Sequence, residues 1–325
     1  MTGSRLLPVV LLALLFSRPA AAEQGGSSNP RPARMNVMGS QSMFATVNRN
    51  DATASLKVWI DALGRRRGFA FQSRLELVSG PQDLLSRLRA QTVDMMILDT
   101  PDYLELEGSK LIEAVGVGTH KGKVAAFRYL LLSRQGATDP AKGGLADLRG
   151  KRVVVSSRTQ SDMGMAWLEV LLADQQLGRA GQYFASVTPT YRPSSCVLPL
   201  FFGRIDACVV DASSWELMQE LNPQLAKLQV LAQSEPLLEG MVAMPVQPHP
   251  YRGEIIESVM DLHRDPAGAQ MVMLFKIGSM VRPQAGVFDA VRTLWSRYQK
   301  LNGGSGKPMV VSKSAPGNRA GEAIQ

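Results

Sequence analysis

Three observations predict an α/β fold of two lobes, each a mostly parallel sheet flanked by helices, joined by a two-strand hinge. The chain has 325 residues, 45% hydrophobic and 20% charged, which supports one large or two ordinary domains and excludes global disorder. Segments with strand and helix character follow the order β-α-β-α-β, and that order then repeats. TVDMMILDTPDY aligns without gaps on RIDACVVDASSW at an offset of 112 residues, placing Asp94 on Asp206 and Asp99 on Asp211. The twelve-residue match gains weight because the element order repeats with it.

Residues 1–22 carry a basic Arg5, an apolar run of 11 residues from Leu6 to Phe16, and Ala20, Ala21 and Ala22. This pattern is that of a secretory signal peptide. The run is well short of the roughly 20 residues that span a bilayer, and no later segment comes close. A soluble exported protein is expected, free in the periplasm if the source is Gram-negative, since no cysteine follows for a lipid anchor. Without the signal, 34 basic residues face 28 acidic ones. The cluster Arg65, Arg66 and Arg67 reads as a solvated basic face, and no basic stripe is interleaved with aromatics, so a nucleic-acid partner is not expected. The excess favours anionic ligands in a general way.

Residues 23–34 and 302–325 are rich in Gly, Ser and Pro without periodicity and read as a disordered linker and tail. Between them, a strand is predicted over residues 35–38, followed by a helix with Leu56, Trp59, Ile60 and Leu63 on one face. A strand over 75–78, a helix opening at Pro81 and the buried apolar strand 95–98 complete the first set. The second set is a strand over 152–155, a helix over 162–176, a strand over 184–187, a helix over 194–202 and a strand over 205–210. Pro199 lies beyond the first turn of that last helix, where proline is tolerated. Strand-like stretches at 111–117 and 125–133 link the sets, and a further pair at 228–231 and 240–244 follows. Three helices near 251–263, 266–275 and 288–300 can pack only by returning to the first lobe. Lobe 1 is therefore expected over 35–122 plus 238–301, and lobe 2 over 123–237. A monomer is expected.

In open α/β sheets ligands lie beyond the carboxyl ends of the strands. There the strand RVVV runs into SSRTQSDMG, placing Ser156, Ser157, Thr159 and Ser161 at a helix N-terminus, with Arg158 able to add a guanidinium fork. Hydroxyls and free N–H groups in this setting accept phosphate, phosphonate, sulfonate or carboxylate oxygens. The alternative is a polar loop in which Ser161 merely caps the helix. Asp99 and Asp211 end the repeated strands and could hold an amine or hydroxyl of a ligand. They could equally organise local turns, with Thr100 before Pro101 and a Ser213/Glu216 capping box as caps. Tyr103 and Trp215 could wall the site or pack in the core. His120, His249 and His263 are far apart in sequence, with no metal-ligand spacing. No nucleophile elbow or phosphate loop is present, so neither an enzyme nor a cofactor is indicated. Cys196 and Cys208 fall level on a helix and the following strand, and are either disulfide-bonded or two small buried hydrophobes.

DATASLKVWIDAL with RLRAQTVDMMILDTPDY, VVVSSRTQSDMG and FFGRIDACVVDASSW together resemble the phosphate/phosphonate family of ABC-transporter solute-binding proteins. These are type II periplasmic binding proteins, and the likeness covers residues 35–244. The resemblance implies two lobes closing on one small ligand that is passed to a membrane permease. It also implies that the family's phosphonate-holding Ser-Thr-Ser-Gly turn falls on Ser157, Thr159 and Ser161, and its amine-holding acid on Asp211. Arg158 and Gln160 interrupt that turn, Gly164 comes late, and Pro193, Ser194 and Ser195 stand where the family has a histidine. The expected function is capture of a small anion for an ABC permease. The alternative is a sensory module of the same fold that signals to a membrane receptor or kinase.

Overall fold

Two sheets, each built around three parallel strands, form the frame. A computed structural model describes residues 31–44, 48–66, 69–78, 80–137, 144–156 and 163–303. The first set is β1 (Arg31–Ser40), α1 (Arg49–Arg66), β2 (Phe69–Val78), α2 (Pro81–Arg89), β3 (Met95–Asp99), α3 (Thr100–Glu107) and β4 (Ile112–His120). Short strands β5 (Lys123–Val124) and β6 (Ala126–Phe127) lead across to β7 (Tyr129–Arg134). The second set is β8 (Arg152–Ser156), α4 (Met163–Asp174), α5 (Ala180–Tyr183), β9 (Ser186–Thr190), α6 (Ser194–Phe201), β10 (Ala207–Asp211), α7 (Ala212–Leu221) and β11 (Leu228–Gln233). The chain returns through β12 (Leu237–Leu238) to β13 (Gly240–Pro245), α8 (Arg252–Met260), α9 (Pro266–Leu274), β14 (Ser279–Val281) and α10 (Asp289–Leu301).

The first sheet has the order β14-β4-β13-β3-β1-β2, with β5 beside β4, and the second the order β11-β7-β10-β8-β9. Each contains one corresponding intruder. β13 lies antiparallel between β3 and β4, and β7 lies antiparallel between β10 and β11. Both intruders have just arrived from the other lobe, through β12 and β6, which pair antiparallel with each other as the hinge. The repeated sequence thus produces two sheets of the same plan.

Burial follows the two-residue strand period. Met95 and Ile97 face α1, α8 and α9, whereas Met96 and Leu98 face α2 and α3. In the second sheet Cys208 and Val210 face α6 and α7, and Ala207 and Val209 face α4.

Two expectations need correction. β1 begins at Arg31, so residues 31–34 belong to a strand rather than to the expected linker. β2 pairs with it along its whole length, which satisfies backbone groups whatever the side chains. Pro32 is tolerated because β3 joins β1 only at Val37–Gly39. α6 forms over the expected residues, since Pro199 sits near its end and removes only a single N–H from the ladder.

The last helix does not belong to lobe 1 alone. Phe288, at the start of α10, stacks on Tyr103 of α3 at 5.1 Å, and Arg292 pairs with Glu107 at 2.9 Å. At the other end Arg297 pairs with Asp174 of α4. Arg179 reaches the Leu301 carbonyl and donates to Asn302 Oδ1 at 2.6 Å. The amphipathic face Val291, Leu294, Trp295 and Tyr298 fills the seam between α3 and α4, making one core continuous across both lobes.

Candidate functional site

Both repeated strands end in a buried aspartate that is itself the helix N-cap. Asp99 Oδ1 accepts the Asp102 N–H at 2.8 Å, and Asp211 Oδ1 accepts the Ser214 N–H at 2.9 Å. The aspartates, not Thr100 or Ser213, therefore cap α3 and α7. The Thr100 hydroxyl donates instead to the Leu238 carbonyl at 2.6 Å, and the Ser213 hydroxyl to Asp211 at 2.6 Å. The following backbone amides reach the hinge in matching fashion. Thr100 N–H donates to the Glu239 carbonyl at 2.9 Å, and Ala212 N–H to the Arg128 carbonyl at 2.8 Å. Each strand end is thereby fastened to the residue before the intruding strand.

In lobe 1 this junction carries a polar cluster that sequence reasoning missed. The Ser42 hydroxyl donates to Asp99 Oδ2, and the Asp99 N–H donates to Ser40 Oγ at 3.2 Å. Burial, reinforced by the charge of Asp102, pushes the Asp99 carboxyl up to about 7; hydrogen bonds from Ser42 and the Asp102 amide pull the other way. Asp102 is likewise raised, by burial, with the Ser40 hydroxyl opposing. Ser40 ends β1 as Ser156 ends β8: Val37 pairs with Met95 in one sheet, and Val153 with Ala207 in the other. The first strands are thus offset by 116 residues while the third strands are offset by 112. A gap-free comparison cannot see both, and only a search allowing a four-residue insertion would have matched Ser40 to Ser156.

The remaining candidates divide. Ser156 is buried at the carboxyl end of β8 and pairs with Thr190. Ser157, Arg158, Thr159 and Ser161 lie outside the described residues, between β8 and Met163, the first residue of α4. The Tyr103 ring is buried and packs against Phe288. Trp215 is buried in the core beneath β10. Cys196 and Cys208 are joined, their Cα atoms 5.6 Å apart, because α6 packs directly on β10. Among the described residues no group of His, Cys, Asp or Glu is arranged to hold a metal ion, and no helix is long and apolar enough to cross a membrane.

Two sheets of one plan, exchanging strands through a paired hinge, with capped helix N-termini at the strand ends, define a two-lobed periplasmic-binding fold. A family profile described as "ABC transporter, phosphonate, periplasmic substrate-binding protein" matches residues 42–285, and the chain belongs to that family of binding proteins, which are not enzymes. No curated protein matches the sequence at a significant level. Among solved structures, XAC2383 of Xanthomonas citri bound to chloride superposes with a TM-score of 0.62 at 13% identity, covering 83% of this chain and 99% of that one. PhnD1 of Prochlorococcus marinus in complex with methylphosphonate gives 0.57 at 12%, covering 84% and 99%. A binding-protein component of a phosphonate ABC transporter from Pseudomonas aeruginosa gives 0.57 at 9%, covering 84% and 88%. At such identities the likeness is one of fold.

Proposed function

We propose that the exported protein, acting as a monomer, captures a small ligand bearing a phosphonate-, phosphate- or similar oxyanion between its lobes and delivers it to an ABC permease. Family membership over residues 42–285 carries this reading. It is supported by the sequence that links β8 to α4, whose residues include three hydroxyl side chains and Arg158. Helix N-terminal amides with adjacent hydroxyls favour an oxyanion. Asp211, buried and engaged with Ser213 and Ser214, serves the ligand only indirectly, by holding α7 in place.

Thermal unfolding against phosphate, methylphosphonate, larger phosphonates, sulfonates, carboxylates and amino acids tests the reading. A ligand at about 100 times its Kd should add about 2.7 kcal/mol to stability. Changing Thr159 and Ser161 together to Ala should then weaken binding by about 1 to 3 kcal/mol without changing the unfolding of the free protein. A panel in which no oxyanion shifts the transition refutes the proposal, and an unaltered affinity in the double variant removes the turn from the site.

A further inference from the structure

Lobe 1 contains a recess between its sheet and α9 whose chemistry is opposite to that of an oxyanion site. Its walls include Met43, Ile97, Val242, Met271, Phe275 and Met280, and its interior volume is about 100 Å³. Two glycines let these walls close in. A Cβ on Gly240 would stand 2.6 Å from Met43 Cε, and one on Gly118 would stand 2.6 Å from Ile277 Cγ2. Among the described residues the lining carries a single charged side chain, Glu239.

Position connects the recess to ligand capture. Met43 follows Ser42, whose hydroxyl is on Asp99, and Gly240 pairs with Asp99 in the β13–β3 ladder. Ala125 and Phe127, from the hinge crossing, complete one side. The recess therefore adjoins the lobe 1 strand ends and is bounded by the paired strands that join the lobes. Its lining offers almost no hydrogen-bonding groups, so a polar occupant would lose its hydration without replacement. Water is disfavoured for the same reason, and an engineered apolar cavity of about 150 Å³ stays dry and admits benzene. Unbranched methionine side chains can reshape around hydrocarbons of differing form.

We propose that this recess receives a short hydrocarbon group of the captured ligand, roughly four carbons by comparison with the benzene-sized cavity. The assignment rests on the oxyanion-capture reading above. It specifies the ligand as an organic oxyanion with an aliphatic substituent and disfavours inorganic phosphate.

The test is methyl-¹³C methionine NMR of the protein, titrated with benzene and separately with n-alkylphosphonates from methyl to butyl. Benzene should shift the methyls of Met43, Met271 and Met280 saturably and leave Met273, which is 69% exposed, unmoved. Affinity for the phosphonates should rise about fourfold per added methylene. Val242→Phe, which fills the recess from β13, should abolish the benzene shifts and flatten the series. Absence of a saturable benzene response in the unmodified protein overturns the recess as an apolar site, whether or not the variant folds. A flat series in which methylphosphonate binds as tightly as butylphosphonate overturns its link to the ligand and leaves oxyanion capture standing. Benzene binding with no phosphonate bound supports the recess and overturns its link to a phosphonate ligand.

Discussion

At the start of the third strand in each lobe, an aspartate bridges to the neighbouring parallel strand. Asp94 accepts the Asn36 N–H at 2.6 Å and returns its own N–H to the Asn36 carbonyl at 3.0 Å. Asp206 does the same with Arg152, at 2.9 Å in both directions. The strands then end in Asp99 and Asp211, each capping a helix. Beyond these backbone tasks the lobes diverge. Lobe 1 surrounds its cap with Ser40, Ser42, Asp102 and Glu239; lobe 2 has a disulfide beneath β10. The repeated residues are therefore signatures of strand register and helix capping. Even Asp94 and Asp206 differ in surroundings. Burial pulls Asp206 upward, but hydrogen bonds from the Arg152 amide and guanidinium, with the Arg152 and Lys151 charges, hold its carboxyl below the usual range. Asp94 has His249 at 3.4 Å.

The asymmetry is sharpest along α10, whose two ends are fastened unequally. Arg179 meets Glu169, a side chain 1% exposed, at 2.9 Å while also holding Leu301 and Asn302. Arg179→Ala should cost about 3 to 5 kcal/mol, because it strands a buried carboxylate. Arg292→Ala, at the exposed lobe 1 end, should cost no more than about 1 kcal/mol. Equal losses in urea unfolding would show that the helix is no more tightly bound to one lobe than to the other.

A pH titration of stability separates the two caps. Asp99 has an ordinary value of 3.8 raised to about 7 in the folded state, so the native protein holds one proton more than the unfolded chain between those limits. Stability from this group is greatest below about pH 4 and declines as pH rises from there to about 7, a swing on the order of 4 kcal/mol. Asp99→Asn keeps a competent cap and should remove that decline. Asp211→Asn is the matched variant in lobe 2. If Asp99→Asn leaves the pH profile unchanged, the strand end of lobe 1 is not desolvated in the way its burial indicates.

The disulfide gives a smaller difference between the lobes. Replacing Cys196 and Cys208 together with Ala should lower stability by roughly 2 to 3 kcal/mol, since the closed loop is short. Hydrogen exchange should locate the loss in β10 and α6 and leave β3 unaffected. Uniform loss across both sheets would mean that the continuous core around α10 makes the lobes a single cooperative unit.

Element order, strand periodicity and the twofold repeat were legible in the sequence because they arise from local patterns: the apolar runs 95–98 and 207–210, the helix-spaced Leu56, Trp59, Ile60 and Leu63, and the paired aspartates. Those patterns determined a two-lobed α/β protein, and with the wider resemblance they pointed to its family. Tertiary structure decided what depends on partners distant in the chain. β1 extends back to Arg31 because β2 offers it a ladder, and Tyr103 is core because Phe288, far along the chain, covers it. Ser40 and Ser42 gain meaning only when β1 lies beside β3, and Cys196 reaches Cys208 only because α6 packs on the strand that follows it. Local sequence sets backbone preference and hydrophobic period, but contacts closed by folding determine which polar groups are buried together and where a chain-terminal helix rests.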